Sequence, residues 1–374
     1  MDIVIKEVTT KTELSKFIKF PFSLYKKNAN WVPPLIFDEL HTLSRKKNPA
    51  FEFCDARYWL AYKDDKIVGR VAGIINHKYN EKWQKKLVRF GWIDFIDDFE
   101  VSHELLKQVQ KWGLENGMNE VHGPLGFTDF DGEGMLIEGF DELPTFGSIY
   151  NYPYYQHHIE KHNFIKDTDW VEYVVTLNDI VPEKISRLAK TVAERYNLKY
   201  LRVKKTKEML PYARDIFYLI NEAYKDLFGF VELTDKQIDV YVKQYFNFIK
   251  PGFVPIILDS NNKLVGFGIT MPSLSRAIQK AKGRLLPLGF IHILRAMKNN
   301  PAADLYLTAV RPEYQNKGVN AMIICEINHV FIKNKITRVE TNRELEENSK
   351  IRAQWRFYES RLHKRRRCYK KSLI

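Results

Sequence analysis

The chain has little cysteine, no long apolar run and, over one extended stretch, no acid at all. Its three cysteines, Cys54, Cys325 and Cys368, lie far apart with no paired spacing. That excludes a disulfide scaffold and a cysteine-rich zinc site, and it suits a reducing compartment. No uncharged apolar segment approaches the ~20 residues that a bilayer span needs. The opening residues MDIVIKEV read as a first strand and not as a secretion signal. The expectation is a cytoplasmic protein. What the chain does have is core material: 374 residues, 45% apolar and 14% aromatic. That is enough for two domains of roughly 150–190 residues.

Charge is unevenly spread around a formal net of +13. From Ser260 to Ala303 there is no Asp or Glu, while Lys263, Arg276, Lys280, Lys282, Arg284, Arg295 and Lys298 are all basic. Beyond Glu359 the acids disappear again, and Arg361, Lys364, Arg365, Arg366, Arg367, Lys370 and Lys371 follow. Such blocks suit an anionic lipid surface, nucleic acid or a polyanionic small molecule. Within the first block, RLLPLGFIHILRAMK (284–298) predicts an amphipathic helix opening at Pro287, with Leu286, Phe290, Ile293, Leu294 and Met297 on one stripe. A basic helix of this kind would rest on a bilayer interface or line an acyl channel; the alternative is a core helix packed on a sheet.

The segment 305–321, LYLTAVRPEYQNKGVNA, carries the strongest chemical signal. It predicts a strand ending at Val310, a loop over Gln315–Asn320 and an apolar helix over 321–332. A glycine-bearing loop at a helix start offers free N–H groups and a positive dipole end to an anion. These residues closely resemble the pyrophosphate loop of the GCN5-related N-acyltransferases (GNAT), V-x-P-x-x-[RQ]-x-x-G-x-[GA], with Asn320 in place of the last small residue. The resemblance implies that Val310, Gln315, Asn316, Lys317, Gly318, Val319 and Asn320 hold coenzyme A, with acyl-CoA as co-substrate and no metal.

Two copies of one plan are legible. DDKIVG (64–69) matches NNKLVG (261–266) inside two strand–turn–strand units, and IVIKEVTTKTEL (3–14) resembles KYLRVKKTKEML (199–210) at nearly the same offset. The implied fold is α/β (α+β): two tandem GNAT folds with mixed central sheets, an N-terminal half over 1–180 and a C-terminal half over 190–374. In the first half the turn after VRFGWIDF (88–95) gathers Asp94, Asp97, Asp98 and Glu100, which would repel a pyrophosphate. Only the second half is expected to bind the cofactor, leaving the first as a wall of the acceptor site.

In this family a carboxylate on a central strand often acts as base and a tyrosine protonates the departing thiolate. The resemblance therefore suggests Glu340, in the strand 336–341, as base. Asn348, Ala353 and Tyr358 are the nearest counterparts of the family's N-x-x-A…Y motif, at longer spacings, with Tyr358 as acid. Asp97, Asn151, Tyr152 and Tyr154 would meet the acceptor's polar head, and Phe290 and Leu294 its alkyl chain. His157, His158 and His162 lack a third ligand at metal-site spacing, and Asp129, Asp131 and Glu133 lack a calcium-loop spacing.

Along nearly its whole length the chain is similar to a group of bacterial acyltransferases that includes bacterial ceramide synthases. GWIDFIDDFEV, HGPLGFTDFDGEGMLIEGFDELP, YNYPYY and HKRRRCYKK carry that likeness. It implies transfer of a fatty acyl group to the amine of a sphingoid base, with possible peripheral contact at the inner membrane surface. Three rivals stand beside it: a small-molecule acetyltransferase, a non-catalytic acyl-CoA sensor, and a nucleic-acid binder stacking bases on Trp355, Phe357 and Tyr369. No nucleic-acid motif accompanies the charge, so nucleic acid is the weakest partner.

Overall fold

The computed structural model describes residues 2–246, 249–348 and 353–374. The first half runs β1 (Val4–Glu7), α1 (Lys11–Leu24), α2 (Ile36–Thr42), β2 (Cys54–Lys63), β3 (Lys66–Asn76), α3 (His77–Lys82), β4 (Leu87–Phe95), α4 (Phe99–Glu115), β5 (Glu120–Gly123), β6 (Met135–Glu138), α5 (Tyr154–Lys161) and β7 (Ile165–Thr176). Then come α6 (Glu183–Tyr196), β8 (Lys199–Tyr200), α7 (Leu210–Tyr224), α8 (Asp235–Tyr245), β9 (Ile256–Leu258), β10 (Leu264–Pro272), α9 (Ser275–Ala281) and α10 (Gly289–Lys298). The chain ends with β11 (Ala302–Val310), α11 (Val319–Lys333), β12 (Arg338–Thr341), β13 (Glu344–Leu345) and β14 (Glu359–Ser372).

Local chemistry sets these boundaries. A capping box closes the start of α1, Thr10 accepting from the Glu13 N–H while Glu13 accepts from Thr10. The matched turns do the same work in both halves. Asp64 and Asp65, at φ 50° and 57°, form the two-residue turn between β2 and β3, and Asn262, at φ 62°, turns β9 into β10.

All the main strands join one sheet in the order β1-β2-β3-β4-β5-β14-β7-β12-β11-β10-β9-β8. Read from either edge the order is the same, with β1–β5 answering β8–β12 and β14 answering β7. The pairing agrees. β4–β5 and β11–β12 are the parallel pairs, while β5–β14, β12–β7 and β14–β7 are antiparallel. Each half therefore places its own last strand against the other's fifth. A cut near residue 180 separates the helices into two sets but leaves the strands interleaved.

That interleaving overturns one expectation. The basic terminus is no solvated tail: it is β14, at the centre of the sheet, and Lys364 and Arg366 are wholly buried. Lys364 donates to Glu340 and Glu172, and Arg366 to Glu172. Unpartnered, each of these ions would cost several kcal/mol in the interior. Those cations are unavailable to a membrane or a nucleic acid.

The predicted 284–298 helix is shorter than expected and begins at Gly289, not Pro287. The turn before it is tight, since a Cβ on Gly289 would meet the Arg284 carbonyl oxygen at 1.8 Å. Its stripe divides: Ile293 packs into a core with Leu274 and Ile278, whereas Leu286, Leu288, Phe290 and Leu294 stay exposed.

Candidate active site

The two halves carry the same strand–loop–helix step and finish it differently. At the start of α4, Asp98 caps the helix by accepting from the Glu100 N–H at 3.0 Å and pairs with Lys63 at 2.8 Å. Its neighbour Asp97 sits 3.0 Å from His158 Nε2, and Asp94 is buried against Arg70 and Tyr25. The positive helix end is therefore already neutralised. At the start of α11 the corresponding place is Gly318, at φ 84°, with no side chain capping the first turn. Lys317 lies over the rings of Tyr196 and Tyr314, and Gln315 Nε2 donates back to the Val310 carbonyl at 3.2 Å. The result is a cationic anion cradle.

From that loop a narrow slot of about 100 Å³ runs inward, where β11 and β12 part. Tyr306, Leu307 and Thr308 form one wall, Asn342, Arg343 and Glu344 the other, and Asn320, Ile323 and Ile327 of α11 its floor. The ladder pairs Ala302–Leu305 with Arg338–Thr341 and then stops. A register shift against β10 leaves Tyr306 as an extra residue, so the strand bends at the opening. In the first half the equivalent gap is closed. Leu125 N donates to Phe90 O at 2.9 Å, and a Cβ on Gly91 would come within 2.4 Å of Leu125 O. Chain fills the space that is open between β11 and β12.

At the root of the slot, Asp304 faces Glu340 across the parallel pair. Burial, together with the nearby Glu340 carboxylate, raises the Asp304 carboxyl to about 7, and Tyr306 donates to it at 3.1 Å. Glu340 is itself held by Lys364 and lies 3.4 Å from His363. The same ladder places Arg89 against His122 in the first half. The correspondence goes further: His122, Asp167 and Cys368 in one half stand where Glu340, His363 and Glu172 stand in the other. In each trio the candidate ligand atoms lie within 4.8 Å of one another, close enough to meet around a cation. Lysines serve both, Lys370 bonding Asp167 at 2.8 Å and Lys364 bonding the second trio.

The expected site residues divide clearly. Val310 ends β11, Gln315, Asn316, Lys317 and Gly318 make the turn, Val319 and Asn320 begin α11, and Glu340 lies on β12 opposite Asp304. Asn348 follows β13, and 349–352 of its motif fall outside the described residues. Tyr358 ends a short turn and leads into β14; Asn328 Nδ2 donates to its hydroxyl at 2.7 Å, and burial pushes its pKa up to about 12. Its neighbour Trp355 lines the slot. Asp97, Asn151, Tyr152 and Tyr154 do not. Asn151 brackets Leu136 through both backbone groups, Tyr152 donates to Leu24 O and Tyr154 to Phe95 O, so their polar atoms brace the first half. Phe290 and Leu294 lie on the exposed face of α10 and are not slot residues either. Asp304 was missed from sequence. The signal was one polar residue in an apolar strand, six residues before the motif valine.

This geometry defines the chain as a tandem GNAT fold: two acyltransferase-like sheets fused into one, with an uncapped glycine turn and an open slot in the second half. A tandem GNAT protein from the clavulanic acid biosynthesis pathway superposes over 100% of this chain and 99% of its own at a TM-score of 0.58 and 10% identity. A GCN5-related N-acetyltransferase from Sphaerobacter thermophilus does so over 99% and 96%, at 0.53 and 10%. Among curated sequences, Protein YghO of Escherichia coli (strain K12) is 27% identical over 99% of this chain and 95% of its own. The bacterial ceramide synthase of Caulobacter vibrioides is 25% identical over 86% of this chain and 84% of its own. No family model matches the chain.

Proposed function

We propose that this protein is an acyl-CoA-dependent N-acyltransferase that moves a fatty acyl group to the amine of a long-chain, sphingoid-type base. One observation carries the reading: the helix that starts at the uncapped Gly318 turn also lines the slot, and the buried Asp304, its carboxyl raised to about 7, adjoins the slot residue Leu305. The cradle takes the pyrophosphate and the slot the thioester arm. Asp304, ionised above pH 7, accepts a proton from the acceptor ammonium, with Glu340 at its side. The freed amine attacks the thioester carbonyl carbon, the C–N bond forms, and the C–S bond breaks as the tetrahedral oxyanion collapses. Tyr358 hands its proton to the departing thiolate and regains one, through solvent, from the nitrogen, which must lose its second proton to become the amide. The products are an amide and free coenzyme A.

The likeness to the Caulobacter ceramide synthase supports the long-chain acceptor. So does the exposed apolar group Leu286, Leu288, Phe290 and Leu294 beside the exposed cations Lys282, Arg284, Arg295 and Lys298. That surface suits shallow, reversible contact with an anionic leaflet. No described helix is long and apolar enough to cross a membrane. Burial of Trp355 and Tyr369 removes the stacking platform that a nucleic-acid binder would use. The narrowness of the slot favours a second reading, a shorter donor on a smaller amine. Both are tested by incubating the protein with acetyl- to palmitoyl-CoA and a panel of amines and measuring amide and free coenzyme A by mass spectrometry. A long-chain amide is expected; no amide with any pair would sink the transferase reading.

A further inference from the structure

The loop after β5 leaves the first half and enters the second. Thr128 Oγ1 meets the Tyr241 hydroxyl at 3.4 Å, and Phe130 packs on the Tyr241 ring at 5.3 Å. Between these contacts stand Asp129, Asp131 and Glu133. All three are partly exposed, the Glu133 side chain at 13%, so solvent reaches the space they share. Burial, with mutual repulsion between Asp129 and Glu133, raises Asp129 to about 7, and burial raises Asp131 to about 6 and pushes Glu133 up as well.

Two guanidiniums share this space. Arg343, a wall of the acyl slot, has Nε 3.4 Å from Glu133 and donates from Nη1 to Asp131 O at 3.4 Å. Arg89 is 2% exposed, and one of its nitrogens bonds Gly126 O at the base of the loop at 3.0 Å. Its Nε and Nη2 have no hydrogen-bond partner among the described residues, and the guanidinium lies over the Tyr79 ring. Buried donors without acceptors are rare, because each forfeits its hydration without replacement. With every group ionised, three carboxylates face two guanidiniums, so the space lacks one positive charge and offers two unused donors. The adjoining guanidiniums repel a divalent metal. A small group that is both cation and hydrogen-bond acceptor satisfies both deficits.

We propose that this loop, with Arg89 and Arg343, is the head-group subsite for the acceptor: an ammonium bearing neighbouring hydroxyls. The ammonium docks first against Asp129 and Glu133 while hydroxyl oxygens accept from the unpartnered Arg89 N–H groups, and it then passes Arg343 to reach Asp304 at the slot. Arg343 is the hinge of the arrangement, touching the head-group loop on one side and the thioester slot on the other. The assignment rests on the transferase reading and adds to it a preference for amino alcohols over plain amines.

The test uses full-length protein, palmitoyl-CoA and two probes, sphinganine and octadecylamine. Wild type is expected to favour sphinganine in kcat/KM by at least about tenfold, the worth of one well-made hydrogen bond to a charged group. Asp129→Asn and Glu133→Gln should each raise KM for both amines about tenfold or more, leaving coenzyme A affinity by calorimetry unchanged. Arg89→Lys should remove the preference for the hydroxylated amine. Asp129, half-exposed, is the variant that keeps the test valid if Arg89→Lys misfolds. Unchanged amine KM in Asp129→Asn and Glu133→Gln, with wild type active, overturns the subsite alone. A wild type that binds palmitoyl-CoA yet acylates neither amine overturns the transferase reading and the subsite with it.

Discussion

The first-half turn at Asp98 and the second-half turn at Gly318 occupy the same place in the same fold, and one residue separates their chemistry. Asp98 supplies both a cap and a negative charge, so the α4 terminus is closed to anions. Gly318 supplies neither, and its left-handed backbone is unfavourable to a side chain. The strands beside them follow suit: the first-half gap is filled by Leu125, while the second-half gap stays open as a slot. The lesson is that one scaffold, repeated, can be closed or left open by what stands at a helix cap and in a strand gap.

The strongest way to break this comparison is to give the second turn the first one's charge. Gly318→Glu should abolish coenzyme A binding by calorimetry, because a carboxylate enters the cradle and its Cβ would press on Val192 at 2.9 Å. The mirror variant, Asp98→Ala, should leave coenzyme A affinity unchanged and cost about 1 kcal/mol of stability from the lost cap. A circular dichroism melt separates the two effects.

Next in size is the root of the slot. Asp304→Asn should lower kcat by roughly 10²–10⁴-fold, whereas His122→Asn, at the place matching Glu340 in the other half, should leave it nearly unchanged. In wild type kcat should rise with pH through about 7, the value to which burial brings Asp304, since only the ionised form accepts a proton. The stability sign is opposite. Folding disfavours that ionised carboxylate, so its contribution to stability declines as pH rises through 7. A pH–rate profile that keeps its rising limb in Asp304→Asn moves the base to another group.

A smaller loss, about 10²-fold in turnover, is expected for Tyr358→Phe with acyl-CoA affinity intact. A change of less than about threefold would assign the thiolate's proton to water. The least effect is expected at the surface, where Phe290→Ser with Leu294→Ser should reduce cosedimentation with anionic vesicles at low salt severalfold. It should slow acylation of long-chain amines and spare soluble ones. Equal binding of wild type and variant would place the stripe outside any membrane contact.

Much of this could be read directly. The cradle from Val310 to Asn320 was legible because its requirements are local: a strand end, a proline stop, a glycine at positive φ and a helix start. The duplicated turns were legible for the same reason. Asp129 and Glu133 were visible as residues but carried no recognisable spacing, since their partners Arg89 and Arg343 come from distant strands. Asn151 and Tyr154 misled because aromatic and amide groups look alike in sequence whether they brace a loop or meet a ligand.

By itself the sequence determined the tandem plan, the matched turns and the strand–glycine turn–helix step from Val310 into α11, all of which follow from near-neighbour geometry. The tertiary structure alone decided the fate of HKRRRCYKK. Seven basic residues after Glu359 read as a block suited to an anionic partner. They became a central strand because Glu172 and Glu340, far away in sequence, neutralise Lys364 and Arg366 where water is absent. Charge pairing between distant strands has no periodicity to betray it; only the closed sheet brings the partners together.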